Sequence, residues 1–368
     1  MSNVNISKII KIANKFNLPC EISSVSPIGN GHINDTFLIS VVSSEEKFVL
    51  QRINHTIFKS PENLIENIER VILHLRKKIS ASNGDPTRET LTFMPVRCEN
   101  SQYKYMYIAP EGEYYRVYRY IKDTVTYNKA TVTLFRQSGL AFGLFAARLS
   151  DFDASSLHEV IPNFHNTRSR FDDLQKSIAL DKMGRAASIQ ELIGFVSKHK
   201  NLITVLQDAN LPVRVTHNDT KLNNVMFDKA SGEAICVIDL DTVMPGLALY
   251  DFGDAIRFGA SSAEEDEQDL GRVSVDLELF EAFTGGYLHH MRNVLTLGEI
   301  DLLATSAQVL TFECGIRFLK DYLDGDIYFK ADFPEHNLVR AKTQFKLVCD
   351  MEQKFSEMKK IVEKFCNL

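Results

Sequence analysis

One stretch leaves this chain few choices. Val215-Thr216-His217-Asn218-Asp219-Thr220-Lys221-Leu222-Asn223-Asn224-Val225-Met226-Phe227 sets β-branched runs on either side of a loop with H-x-D-x-x-x-x-N spacing, and Ala234-Ile235-Cys236-Val237-Ile238-Asp239-Leu240-Asp241 is an apolar run that stops at a carboxylate. The pattern predicts a strand, a polar loop and a hairpin. On such a loop Asp219 is placed to accept the proton of an attacking hydroxyl, while Asn224 and Asp239 offer hard oxygen ligands for Mg²⁺ bound to nucleotide phosphates. A plain hairpin also uses Asn and Asp in its turns, and Ser231-Gly232-Glu233 is such a turn. That alternative has no need of His217, Asp219, Asn224 and Asp239 together, so the stretch points to phosphoryl transfer.

With 368 residues the chain is long for one core, and two lobes are expected. Its 48 acidic and 42 basic side chains are well mixed and give a net charge of −6. Nucleic acid is excluded as an expected partner, because a phosphate backbone is met by a concentrated basic face. Cys20, Cys98, Cys236, Cys314, Cys349 and Cys366 lie far apart with no C-x-x-C pair, which favours reduced thiols over a disulfide frame or a zinc site. Lys8, Lys11 and Lys15 interrupt the apolar residues of the N-terminus, and no segment approaches the roughly 18 apolar residues of a membrane span. The expectation is a cytoplasmic protein with no membrane partner.

The loop resembles the catalytic loop of the superfamily that joins aminoglycoside phosphotransferases, choline kinases and homoserine kinases. Three longer strings, His217-Asn-Asp-Thr-Lys-Leu-Asn-Asn, Ile238-Asp-Leu-Asp-Thr-Val-Met-Pro-Gly246 and Asp251-Phe-Gly-Asp-Ala-Ile-Arg-Phe-Gly-Ala260, resemble those of the N-acetylhexosamine 1-kinases within it. The likeness runs from about Pro27 to beyond Lys346. It implies an α+β, bilobal, protein-kinase-like fold, with a β-rich N-lobe over 1–120 and a larger, mainly helical C-lobe over 121–368. It also implies ATP and Mg²⁺ as cofactors and phosphorylation of the anomeric hydroxyl of N-acetylglucosamine or N-acetylgalactosamine. Other kinases of the same fold, acting on an aminoglycoside, choline or homoserine, are the alternative. A nucleotide-binding pseudokinase is a reading of another class, and the intact Asp219, Asn224 and Asp239 count against it.

Along the chain, apolar spacing predicts a first helix over residues 4–16. Gly29 and Gly31 follow in Pro27–Ser40, where they serve either as a plain hairpin turn or as a cradle that lets backbone N–H groups approach phosphates. Phe48–Gln51 reads as the third strand. A kinase needs a cation here, held by a helix glutamate. Strand parity instead puts Gln51 on that face and turns Arg52 away, a departure from the superfamily that leaves the phosphate contact unassigned. Leu64, Ile65, Ile68, Val71, Ile72 and Leu75 form a helical stripe. Glu69 within it is either the helix glutamate or a solvated residue. Residues 80–85 read as a loop, Tyr103–Ala109 and Tyr114–Ile121 as strands, and the lobe boundary falls near Tyr120. Beyond it Val132, Phe135, Gly139, Phe142, Phe145, Ala146 and Leu149 share a helix face, with Gly139 and Gly143 allowing another helix to come close. Long helices are predicted over Leu270–Met291, Glu299–Leu323 and Asn337–Phe365.

Around the loop, His217 is expected to be a scaffold. Lys221 either stabilises charge on the transferring phosphoryl group or is a surface lysine. Asp239 and Asp241 share a face if their strand persists. Asp251 is expected to open a helix, with its carboxylate on free backbone N–H groups. Glu313, Arg317 and Asp321 recur at helical spacing on an apolar helix, so Arg317 is expected to be buried with either those acids or ligand oxygens as partners. The resemblance nominates His32, Phe258, Arg317 and Tyr328 for the substrate pocket.

Overall fold

Phe37, Ile39 and Val41 recur at every second position of one strand, as Phe48 and Leu50 do on the next, so they share one face of any sheet they form and that face must be covered. The computed structural model describes residues 6–28, 33–97 and 102–366. In it the strands β1 (Ile22–Pro27), β2 (Asp35–Val41), β3 (Lys47–Ile53), β4 (Tyr107–Ile108) and β5 (Tyr114–Arg119) form one antiparallel sheet of order β1-β2-β3-β5-β4. Helix α1 (Ile6–Ala13) closes the apolar face, where Ile9, Ile12 and Ala13 pack among Phe37, Ile39, Phe48, Leu50, Tyr115 and Val117. The opposite face is polar at its centre. There Thr36, Gln51 and Arg116 lie side by side in register.

The chain divides into two compact units. The first holds Met1–Val125, Ser155–Pro162 and Met226–Met244; the second holds Thr126–Ala154, Asn163–Val225 and Pro245–Leu368. The division is therefore not a single cut near Tyr120, because short later segments return to the first unit. One of them carries the hairpin after the Asp219 loop. In it β6 (Thr124–Val125) pairs with β8 (Val225–Asp228), which pairs with β9 (Ala234–Val237), while β7 (Arg214–Thr216) leads into the loop. Helix α2 (Pro61–Ala81) starts with Pro61 at its first turn and buries the predicted stripe from Leu64 to Leu75. Its Asn67 is fully buried and bridges the other first-unit segments: it donates to the carbonyls of His158 and Val243 and accepts from the His158 N–H.

The second unit is helical, with α3 (Val132–Arg148), α4 (Thr167–Leu180), α5 (Gln190–Lys198), α6 (Ala248–Gly259), α7 (Leu277–Met291), α8 (Leu297–Asp301), α9 (Leu303–Asp324), α10 (His336–Gln353) and α11 (Phe355–Cys366). Gly139 and Gly143 of α3 lie against the backbone of α7 at Phe283 and Tyr287, so close that a Cβ at either would collide with it. Helix α9 is buried along most of its length and packs against α4, α6 and α10. Among the described residues no helix is long and apolar enough to cross a membrane.

Several expected elements are shorter than periodicity suggests. The Tyr103–Ala109 strand is reduced to Tyr107–Ile108, and helix α2 runs on to Ala81. The Leu270–Met291 helix begins only at Leu277, capped by the Asp276 side chain on the N–H groups of Glu278 and Leu279. The predicted Glu299–Leu323 helix is split at Leu302, and the Asn337–Phe365 helix at Lys354. Strand β9 ends at Val237, so Asp239 and Asp241 are not on a strand. Asp239 takes a left-handed conformation (φ 58°) and Leu240–Thr242 make a 3₁₀ turn, which voids the parity argument that paired the two carboxylates.

Candidate active site

The loop after β7 is held mainly by its backbone. Asp251, in the first turn of α6, is buried, and its carboxylate accepts the N–H of His217 at 2.9 Å and of Asn218 at 2.7 Å. The Thr220 hydroxyl donates to the Asp251 carbonyl at 2.6 Å. Sequence reasoning gave Asp251 the right acceptor role on the wrong partner, since these N–H groups belong to the loop and not to its own helix. Burial pushes the Asp251 carboxyl above its ordinary range, against the bonds it accepts. Asn218 adopts the left-handed conformation (φ 65°), which a short polar side chain tolerates better than most. His217 is fully buried, edge-on to the rings of Phe142 and Phe145, consistent with a scaffold.

A second support reaches the loop from α9. The buried Glu313 carboxylate contacts His165 Nδ1 at 2.9 Å and accepts from the Thr167 hydroxyl at 2.7 Å, while His165 Nε2 lies 3.2 Å from the Asn218 carbonyl. Burial opposes charge on Glu313, yet His165, Arg317 and Thr167 together outweigh it and hold the carboxyl below its ordinary range.

Asp219 emerges from this frame with its side chain 26 % exposed. One carboxylate oxygen pairs with Lys221 Nζ at 2.8 Å, and the other accepts from Asn224 Nδ2 at 3.1 Å. The Asn224 amide nitrogen also donates to the Asp219 carbonyl at 2.8 Å, which leaves its amide oxygen as the free ligating atom. The charge of Asp219, and after it that of Asp254, raises the Lys221 ammonium above its ordinary value although burial pushes the other way. Phe258 lies beside it, with Lys221 Nζ 5.8 Å from the ring centroid. Asp254 and Glu265 both pair with the buried Arg257. Burial pushes the Asp254 carboxyl up, but Arg257, His165 and Lys221 together outweigh it and hold that carboxyl low.

Arg317 and Tyr328 come together around Phe329. The Arg317 guanidinium lies 5.4 Å from the Phe164 ring and 5.5 Å from the Phe329 ring, and Tyr328 meets Phe329 edge-on at 4.8 Å. Of the two partner sets open to Arg317, the neighbouring acids Glu313 and Asp321 are engaged elsewhere. Glu313 is taken by His165 and Thr167, and Asp321 accepts the N–H groups of Ile327, Tyr328 and Phe329. Arg317 is only half-buried and makes no ion pair among the described residues. Arg170 is close enough that burial and then Arg317 push its guanidinium below the ordinary value.

In the first unit, Gln51 and Arg52 face opposite sides of β3. Arg52 pairs with Asp35 and Glu113. Gln51 donates to Thr36 and accepts from Arg116 and Tyr118. Glu69 is half-buried on α2, within the electrostatic reach of Lys104. Gly29, Gly31 and His32 lie outside the described residues. Asp239 ends the hairpin, and its charge and that of Asp241 act on Arg116. No group of three His, Cys, Asp or Glu side chains suited to a metal occurs among the described residues. Magnesium bound through one or two protein oxygens plus phosphates needs no such cluster.

The pattern of the phosphotransferase enzyme family matches residues 24–283. Among solved structures, the chain is similar to a microcompartment-associated aminopropanol kinase at a TM-score of 0.60 and 14 % identity, covering 96 % of this chain and 99 % of that one. A spectinomycin phosphotransferase in complex with ADP and spectinomycin matches at 0.52 and 15 %, covering all of both chains. A choline kinase from Cryptosporidium parvum matches at 0.51 and 14 %, over 98 % of this chain and 99 % of that one. At such identities the likeness shows the fold, which is the mixed α+β, protein-kinase-like one.

Proposed function

We propose, for a chain that belongs to the phosphotransferase enzyme family, that it transfers the γ-phosphoryl group of ATP to the anomeric hydroxyl of an N-acetylhexosamine. The observation that carries the phosphotransfer is Asp219, partly open to solvent and held between Lys221 and Asn224 on a loop whose backbone is fixed by Asp251. A carboxylate so held accepts the acceptor's proton as its oxygen bonds to the γ-phosphorus, while the bond from that phosphorus to the bridging oxygen breaks and ADP leaves, so the proton ends on Asp219. Lys221 stands where negative charge on the transferring group is stabilised. Asn224 and Asp239 are the residues that would hold Mg²⁺, and the free amide oxygen of Asn224 fits a hard cation. When bound, that ion neutralises charge on the nucleotide phosphates. ATP use is supported by the ADP held in the spectinomycin phosphotransferase.

The acceptor is argued from charge. Arg170 and Arg317 stand near each other beside Phe164, and the carboxylates around them are already bonded. Two arginines favour neutral oxygen-rich acceptors over ammonium groups. Arg317, Tyr328, Phe258 and His32 are the proposed substrate contacts, and an N-acetyl group offers a flat amide to pack and bond. An anomeric hydroxyl is more acidic than its neighbours, which suits a carboxylate base. The second reading is an amino alcohol, as in the aminopropanol and choline kinases, and the exposed Tyr328 ring favours it, since aromatic faces receive ammonium groups.

A coupled ADP-release assay across N-acetylhexosamines, plain hexoses, choline, ethanolamine and aminoglycosides tests this, with phosphorus-coupled NMR of the product. The expected product is the 1-phosphate of an N-acetylhexosamine, with slower turnover of glucose and galactose. Phosphate on C6, or turnover of an amine alone, overturns the sugar 1-kinase reading and keeps the phosphotransferase.

A further inference from the structure

We infer that Arg116, on β5, is the cation that binds the nucleotide's α- and β-phosphates, one strand over from the position where kinases carry it, and that Gln51 and Asp241 position it. The inference rests on the ATP-dependent reading above.

Phosphoryl transfer needs a cation at those phosphates, and β3 supplies none on the relevant face. Arg52 is turned to the other face and engaged by Asp35 and Glu113. The residue opposite Gln51 in the β3–β5 register is Arg116. Its Nε and Nη2 donate to the Gln51 side-chain oxygen at 3.0 and 2.7 Å, and Nη2 lies 2.5 Å from Asp241 Oδ1. Asp241 is itself held by Asn34 Nδ2 at 2.7 Å. The remaining nitrogen, Arg116 Nη1, is buried and has no hydrogen-bond partner, on a side chain only 2 % exposed. A buried donor left without an acceptor is costly, and phosphate oxygens are the acceptors a guanidinium suits best. The charges of Asp241 and Asp239 both act on Arg116, which places it near the proposed Mg²⁺ ligand of the same unit.

The arrangement also accounts for Gln51. A lysine there would face Arg116 as a like charge across the register pair, whereas the Gln51 amide oxygen accepts from Arg116 and Tyr118 and its nitrogen is held by Thr36. Both members of the ion pair that anchors phosphates have moved. The cation is on β5, and its acid is Asp241 rather than a glutamate of α2.

The test compares ADP with adenosine, which lacks phosphates, by calorimetry with Mg²⁺ present. Arg116→Gln is expected to weaken ADP about tenfold or more while adenosine affinity stays within about twofold. Because that substitution leaves Asp241 buried without its cation, two further variants are measured, each checked for a cooperative thermal transition. Gln51→Lys with Arg116→Gln returns the cation to β3 and is expected to recover most of the ADP affinity. Arg116→Met with Asp241→Leu removes both charges and is expected to lose ADP selectively. Wild-type ADP affinity in a folded variant lacking the cation, or equal loss of ADP and adenosine, overturns the assignment. If the wild-type protein binds no ADP, the phosphotransferase reading itself fails.

Discussion

The loop at Asp219 and the sheet face at Gln51 both hold charge, and they hold it in opposite ways. On the loop, Asp219 and Lys221 keep 26 % and 34 % of their side chains exposed, while the groups that fix them, Asp251, His165 and Glu313, are buried. On the sheet face the charge itself is buried, with the Arg116 and Asp241 side chains 2 % and 5 % exposed. Exposed charges and buried supports are thus separate groups in the first region, whereas in the second the charges are themselves buried. A substitution at Asp219 should remove chemistry and spare the fold, whereas one at Arg116 touches both binding and stability.

The largest effect expected from this contrast is on turnover. Asp219→Asn and Asp239→Asn are each expected to lower kcat by about 10²-fold or more with little change in thermal stability. Near-normal turnover in either purified variant breaks the assignment. Next comes the support. Asp251→Ala removes the acceptor for the His217 and Asn218 N–H groups, and is expected to cost about 1–3 kcal/mol of stability and about tenfold in kcat, read by denaturant titration beside steady-state kinetics. Unchanged kcat at reduced stability would show that the loop keeps its shape without Asp251.

Within the sheet, the two faces of β3 separate the effects further. Gln51→Ala is expected to raise the KM for ATP severalfold, more than Arg52→Ala does, because Gln51 orients Arg116 and Arg52 does not. The reverse order contradicts the stated roles of the faces. The smallest effect concerns pH. Lys8, Tyr115 and Arg52 hold the Glu113 carboxyl down to about 2 from its ordinary 4.5, although burial pushes the other way. A carboxyl whose folded pKa is lowered stabilises the fold above its unfolded pKa, and this stabilisation is lost as pH falls through the folded one. Wild type should therefore exceed Glu113→Gln by about 1 kcal/mol at neutral pH, and the gap should close between pH 4.5 and about 2. A gap that is constant with pH would make the contact one of packing alone.

The same contrast explains what could be read from the residues. His217, Asp219, Lys221 and Asn224 fall within one short stretch, so their spacing alone describes the loop, and the stripe of α2 and the small residues of α3 are local patterns as well. Arg116 carries no such signal, because its meaning depends on pairing with Gln51, 65 residues away in sequence. Asp251 was visible as a capping residue, but its true partners lie 33 and 34 residues upstream. His165 was missed altogether, since a lone histidine says nothing until Glu313 and the Asn218 carbonyl meet it. Extrapolating a strand through Asp239 failed because the left-handed residue there turns the chain, a conformation that sequence parity does not register.

The central claim is that Asp219 serves the chemical step and not nucleotide binding. The most direct measurement is of ADP affinity and single-turnover phosphoryl transfer on wild type and Asp219→Asn side by side. The account predicts ADP affinity equal within about twofold and transfer slower by about 10²-fold or more. Transfer at the wild-type rate in the variant, or a loss explained entirely by weaker nucleotide binding, would contradict it.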